Sequence, residues 1–168
     1  ATLTANGAST YNWTPSTGLS SSSGNPVTAN PLVTLSYTVM GTDVNNCVNF
    51  ATATVTVNQL PNITATSGTI CLGNSTSLNA NGAVGYSWNP ATGLSSSTGT
   101  SVSASPPATT SYTVTGVDAN GCFSSALCSV TVNPLPVVSV NSGNICSGKS
   151  TVLTASGANT YNWSPSTG

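Results

Sequence analysis

Side chains able to do acid, base or metal chemistry are scarce in this chain. They are Asp43, Asp118 and Lys149, with no histidine, arginine or glutamate among 168 residues. The two aspartates stand 75 residues apart, so no local carboxylate pair exists for general acid–base work. Serine is abundant, but a serine nucleophile needs a base beside it, and none is available. Enzymatic chemistry is therefore not expected. Asp43-Val44-Asn45-Asn46 and Asp118-Ala119-Asn120-Gly121 each offer one carboxylate, whereas calcium takes about six to eight oxygens, usually with several carboxylates. Both tetrapeptides read as Asx-type turns, and neither a metal nor a cofactor is expected. Lys149 has Asn74 at the equivalent place one period earlier, so an isopeptide cross-link through it could not recur along the chain. Asn12, Asn62, Asn74 and Asn162 open Asn-x-Ser/Thr sequons, a weak signal in a sequence so rich in these residues.

The remaining reactive groups are five cysteines. Cys47 maps onto Cys122, and Cys71 onto Cys146, at the same offset of 75 residues. Within one period Cys71 and Cys122 are available to each other, and a disulfide between them is expected. Cys47 and Cys146 would then pair with residues outside the window. Such a bond closes a loop of about 50 residues and contributes around 4 kcal/mol in the chain-entropy account. It also implies an oxidising, secreted or surface location. Cys128 has Ala53 as its counterpart and reads as a small buried side chain facing inward. A bond from Cys128 to Cys122, or between chains, is the alternative.

The elements that hold these residues repeat. Tyr11-Asn12-Trp13-Thr14-Pro15-Ser16-Thr17-Gly18 recurs as Tyr86-Ser87-Trp88-Asn89-Pro90-Ala91-Thr92-Gly93 and as Tyr161-Asn162-Trp163-Ser164-Pro165-Ser166-Thr167-Gly168. Tyr37 likewise maps onto Tyr112. A fixed period of this length marks a tandem array. Residues 1–60 read as the C-terminal part of one repeat, 61–135 as a complete repeat, and 136–168 as the N-terminal part of the next. Both ends of the window fall inside a repeat, as expected of a segment from a longer polymer.

Charged residues make up 2% of the chain and hydrophobic ones 38%. Plentiful Val, Thr and Tyr argue for a folded β protein with a hydrated, uncharged Ser/Thr/Asn surface rather than for disorder. A net charge of −1 leaves no basic patch for nucleic acid and no cationic face for lipid. Strands are expected at Asn62–Thr66, around Ile70-Cys71, at Ser75–Ala80, Gly85–Trp88, Thr100–Ser105 and Thr110–Val117, and from Cys122 to Asn133. Asn81-Gly82 and Asp118–Gly121 supply hairpin turns. Alternation places Leu78, Tyr112, Val114, Ala126, Cys128, Val130 and Val132 inward. This is an all-β sandwich of about seven strands.

In such a sandwich Trp13, Trp88 and Trp163 are core residues, and Tyr11, Tyr86, Tyr161, Tyr37 and Tyr112 pack with them. An open Tyr86/Trp88 face stacking on sugar is the competing reading. The linker Asn133-Pro134-Leu135-Pro136 is short and proline-containing, hence stiff. It predicts nearly coaxial units and a rod whose units contact mainly their neighbours.

The strings Ile70-Cys71-Leu72-Gly73-Asn74-Ser75, Tyr86 to Ser95, Ser111 to Cys122 and Val130 to Pro136 resemble the Ig-like/PKD-like repeats of giant surface proteins in Bacteroidota. Those proteins are exported by the type IX system and include gliding-motility adhesins of the SprB kind. The resemblance implies β-sandwich units, a cell-surface location and a structural or adhesive role in a filament or stalk. Partners would be neighbouring repeats or copies of the chain, with surface polysaccharide as a further candidate. Cys128 lies outside the family pattern, and Asn46 replaces Gly121 in the earlier copy, a change that keeps positive φ accessible. A glycan-binding accessory module and a passive spacer of a secreted multidomain enzyme are the rival functions.

Overall fold

A computed structural model describes residues 1–165; Ser166, Thr167 and Gly168, the end of the third copy of the repeated phrase, lie outside the described residues. Among the described residues the regular elements are all strands. By contacts between Cα atoms the chain divides into two compact units, one built on Ala1–Leu60 and the other beginning at Pro61.

The first unit contains β1 (Thr2–Leu3), β2 (Thr10–Thr14), β3 (Val27–Thr28), β4 (Leu35–Thr42) and β5 (Val48–Val55). β1 pairs with β3, and β2, β4 and β5 form a second sheet in the order β2-β4-β5. Trp13, Val27, Ala29, Tyr37 and Val39 are buried between them.

The complete repeat contains β6 (Thr64–Ala65), β7 (Gly68–Cys71), β8 (Thr76–Asn81), β9 (Gly85–Asn89), β10 (Ser101–Ala104), β11 (Thr110–Val117) and β12 (Phe123–Asn133). They form two sheets, β10-β8-β6 and β7-β12-β11-β9. Every pairing is antiparallel except β7 with β12, which is parallel and sets Cys71 opposite Asn133. The architecture is an Ig-like sandwich, as the alternating pattern predicts. Strand β12 shows how the sequence produces it. Cys128 and Val130 are buried and Ala126 and Val132 pack beside the core, while Phe123 and Leu127, of the other parity, are exposed. The expected first strand, Asn62–Thr66, is reduced to two paired residues.

Gly116 fixes the approach of the first strand to the opposite sheet. A Cβ there would run into the side chains of Ile63 and Ala83, so only glycine lets Ile63 reach the core. Gly93 adopts a φ of 73° and would place a Cβ 2.6 Å from the Cα of Pro106. Its conformation and its space both exclude a side chain.

Beyond Leu135 the chain begins the pattern again with β13 (Ser139–Val140) paired to β14 (Ala155–Ser156). This copies the pairing of β6 with β8 one period earlier.

Candidate functional site

Trp88 is 3% exposed, and its indole nitrogen donates to the carbonyl of Gly99 at 2.9 Å. Trp13 repeats this with Gly24 at 3.0 Å and is equally buried. The indole thus fills the sandwich and ties down the Ser/Thr/Gly-rich loop that follows its own strand. Tyr86 is buried as well; its hydroxyl accepts from the backbone N–H of Ala83 at 2.7 Å and donates to the carbonyl of the same residue at 2.9 Å. Tyr11 does the same with Ala8. Tyr112 and Tyr37, fully buried, donate to the carbonyls of Thr92 and Thr17. These residues are structural, each with its polar end satisfied. In the complete repeat Tyr86 and Trp88 are both buried and that face is closed, whereas in the first unit Trp13 is buried and Tyr11 is half-buried beside an open groove.

The third copy differs. Trp163 is 47% exposed and Tyr161 sits at the surface, although the hydroxyl of Tyr161 still accepts from the N–H of Ala158 at 2.7 Å. The local turn forms, but no described strand of that copy covers the rings in the way β11 and β12 cover Tyr86 and Trp88.

The cysteine expectation needs correction. The structure holds no Cys71–Cys122 disulfide. Cys71 ends β7 opposite Asn133, at one end of β12, while Cys122 immediately precedes Phe123, at the other. At a rise of about 3.3 Å per residue the two are roughly 30 Å apart, whereas a disulfide needs Cα atoms within about 7 Å. Cys47, Cys71 and Cys146 are exposed. Cys128 is buried opposite Tyr112, where burial raises the pKa of its thiol. Burial likewise raises the Tyr112 phenol, partly offset by a hydrogen bond with Thr110 and reinforced by the neighbouring thiol.

Asp43 makes the expected Asx turn: one carboxylate oxygen accepts from the backbone N–H groups of Asn45 and Cys47, both at 2.8 Å. Asn46 takes a φ of 63° and Gly121 a φ of 79°, so the Gly-to-Asn exchange preserves the turn. No group of three or more His, Cys, Asp or Glu residues gathers among the described residues. Asn133, Pro134, Leu135 and Pro136 are exposed, with Asn133 ending β12 and accepting from the N–H of Leu72 at 2.8 Å.

Two contributors were not legible as site residues. Ile63, just ahead of β6, and Ile70, on β7, close the core of the complete repeat. Their signal was present in the alternation around Asn62–Thr66 but was too short to identify what they cover. Phe123 and Leu127 stand exposed on the outer side of β12, and Phe50 on β5; their parity, opposite to that of Cys128 and Val130, marks that side.

Residues 59–136 match the family model described as Ig-like domain, CHU_C associated; that match spans the whole complete repeat. No curated protein matches the chain. Among solved structures, the chain is similar to a surface glycan-binding protein, SGBP-B, of the Bacteroides ovatus mixed-linkage glucan utilization locus, solved with a mixed-linkage heptasaccharide. The identity is 15% and the TM-score 0.21, over 80% of this chain and 42% of that one. The chain therefore spans less than half the length of that structure.

Proposed function

We propose that the chain is a non-catalytic repeat segment of an extracellular bacterial filament or adhesin stalk, made of stiffly linked Ig-like units. The observation that carries this reading is the recurrence, 75 residues apart, of the same buried, loop-tethering Trp in Trp13 and Trp88. The same large side chains are buried from one unit to the next, while the surface combines many Ser, Thr and Asn with exposed apolar residues such as Phe123 and Leu127 and carries almost no charge. Such a surface gives little electrostatic repulsion between neighbours and little salt dependence. The match of the complete repeat to a CHU_C-associated Ig-like model supports a surface or secreted protein of a Bacteroidota-like bacterium. Export by the type IX system, a SprB-like gliding adhesin and a rod of near-coaxial units are the finer parts of the proposal. The short proline linker supports the last of them.

The test is labelling of intact, unpermeabilised cells of a producing strain with antibody to residues 61–135, followed by negative-stain imaging. Gold along threads that leave the cell surface is the expected result. Label only after permeabilisation would overturn the location, and compact label with no thread would favour a spacer or a glycan-binding module.

A further inference from the structure

The passage from β8 to β9 requires a glycine but not the asparagine that precedes it. Gly82 has a φ of 103°, and a Cβ on it would run into the backbone carbonyl of Asn62. Conformation and space both exclude a side chain there. The same turn recurs as Asn6-Gly7, with a φ of 94°, and as Ser156-Gly157, with a φ of 98°. Gly157 passes the carbonyl of Val137 as Gly82 passes that of Asn62, so serine serves ahead of the glycine as well as asparagine does. Asn81 is exposed at the end of β8.

Asparagine before glycine has a chemistry that serine lacks, and it is one reason asparagine counts as a thermolabile residue. The main-chain nitrogen of the glycine attacks the side-chain amide carbon, with no Cβ on the glycine to obstruct it. Ammonia leaves, taking up the proton that the attacking nitrogen gives up, and a cyclic imide remains. Water then opens the imide. Opening at one carbonyl gives aspartate. Opening at the other gives isoaspartate, in which the main chain runs through the former side chain and is one methylene longer.

We propose that Asn81-Gly82 is a self-modification site, and that its conversion to isoaspartate unlatches the first strand of the complete repeat. The ladder between β6 and β8 consists of two residue pairs, Thr64 with Asn81 and Ala65 with Ala80. So short an edge strand opens locally at the low end of the stability range, which gives the amide the freedom that ring closure needs. The added methylene then falls where Gly82 lies against Asn62, one residue ahead of Ile63. Ile63 is 7% exposed and packs over Gly116. Lengthening the chain at this point shifts the ladder and draws Ile63 out of the core. Opening to plain aspartate has a smaller effect: it adds a carboxylate at an exposed position, in a chain whose acidic side chains are Asp43 and Asp118. The site thus records the age of the protein, and the units that have stood longest hold their first strand most loosely. Nothing in this inference depends on where the parent protein resides.

The test incubates the 168-residue chain, Asn81→Ser and Asn81→Asp in warm, mildly alkaline buffer. Peptide mapping with electron-transfer fragmentation distinguishes aspartate from isoaspartate at each asparagine, and thermal melts follow the same samples. The wild-type chain should accumulate isoaspartate at residue 81 and lose several degrees of Tm in step with it. Asn81→Ser, which carries the residue of the third copy, should start at the wild-type Tm and escape that loss. Reaction at Asn6-Gly7 and Asn120-Gly121 is common to all three chains and cancels in the comparison. Asn81→Asp should melt with the fresh wild-type chain, which separates the added charge from the added methylene. An Asn81 that stays intact while a free peptide of residues 77–87 is fully converted overturns the site. Isoaspartate at residue 81 with an unchanged melt overturns the unlatching, and so does an Asn81→Asp chain that melts as low as the isoaspartate form.

Discussion

Cys71 and Cys122 lie at opposite ends of one strand, β12, the first beside Asn133 and the second next to Phe123. Parallel pairing of β7 with β12 produces this separation. A disulfide between the two would require the unit to come apart, so the fold of each unit rests on packing and hydrogen bonds. Reducing agent should accordingly leave the Tm of the 168-residue chain unchanged. Calorimetry with and without reductant checks this, and a fall of several degrees on reduction would contradict it.

Cysteine accessibility follows from the same geometry. Under native conditions an alkylating reagent should label Cys47, Cys71 and Cys146 rapidly and Cys128 slowly, because Cys128 is buried and its thiol pKa is raised. Peptide mapping by mass spectrometry reads the order. Equal labelling of Cys128 would mean that the core opens or that the strand is out of register.

The aromatic core sets most of the stability that one substitution can remove. Trp88→Ala leaves a large cavity and strips the Gly99 carbonyl of its donor, at a cost of about 3–5 kcal/mol. Tyr112→Phe keeps the ring and loses the hydroxyl's hydrogen bonds to Thr92 and Thr110, about 1–2 kcal/mol. Trp163→Ala, at an exposed site, should change stability by less than about 0.5 kcal/mol. Urea unfolding of the three variants gives the ranking, and a Trp163→Ala effect as large as that of Trp88→Ala would refute it.

Gly116→Ala tests the close approach of the first strand. The added methyl group meets Ile63 and Ala83 and should cost about 1–3 kcal/mol through overpacking. Ile63→Ala in the same chain should recover part of that loss, since it removes the atoms in the way. Additive losses in the double variant would show that the clash lies elsewhere.

Alkaline pH should destabilise the complete repeat. Cys128 and Tyr112 both have folded-state pKa values raised by burial above their ordinary values of 9.0 and 10.0. The unfolded chain therefore releases these protons first, and stability present below about pH 9 declines as pH rises through the folded values. Thermal melts from neutral pH to pH 11 should show a plateau followed by a fall, and Cys128→Ala should delay its onset. A flat profile would contradict the burial of both groups.

Much of this fold could be read from the sequence because the informative signals were local. The hairpin turn at Asp118–Gly121, which joins the paired β11 and β12, and the parity of Ala126, Cys128, Val130 and Val132 each act within a few residues. So does the Asx turn at Asp43, which survives the replacement of glycine by Asn46. The 75-residue period repeats these signals. Asn81-Gly82, expected as a hairpin turn, instead carries the chain from β8 in one sheet to β9 in the other. The cysteine arrangement could not be read in this way. Counting two cysteines per period says nothing about which ends of which strands they occupy, and the parallel pairing of β7 with β12 in one sheet decides that. The burial of Tyr86 and Trp88 is a tertiary fact of the same kind, because the strands that cover them, β11 and β12, lie more than twenty residues further along.

The central claim is that a 75-residue Ig-like unit is the repeating element of an extracellular filament. Cryo-electron microscopy of threads isolated from a producing strain tests it most directly, through the axial repeat. β12 has 11 residues, and at about 3.3 Å each with loops added the unit should extend on the order of 35–45 Å. Threads with that periodicity, decorated by antibody to residues 61–135, are the predicted result; isolated globular particles, or threads with no such period, would contradict the account.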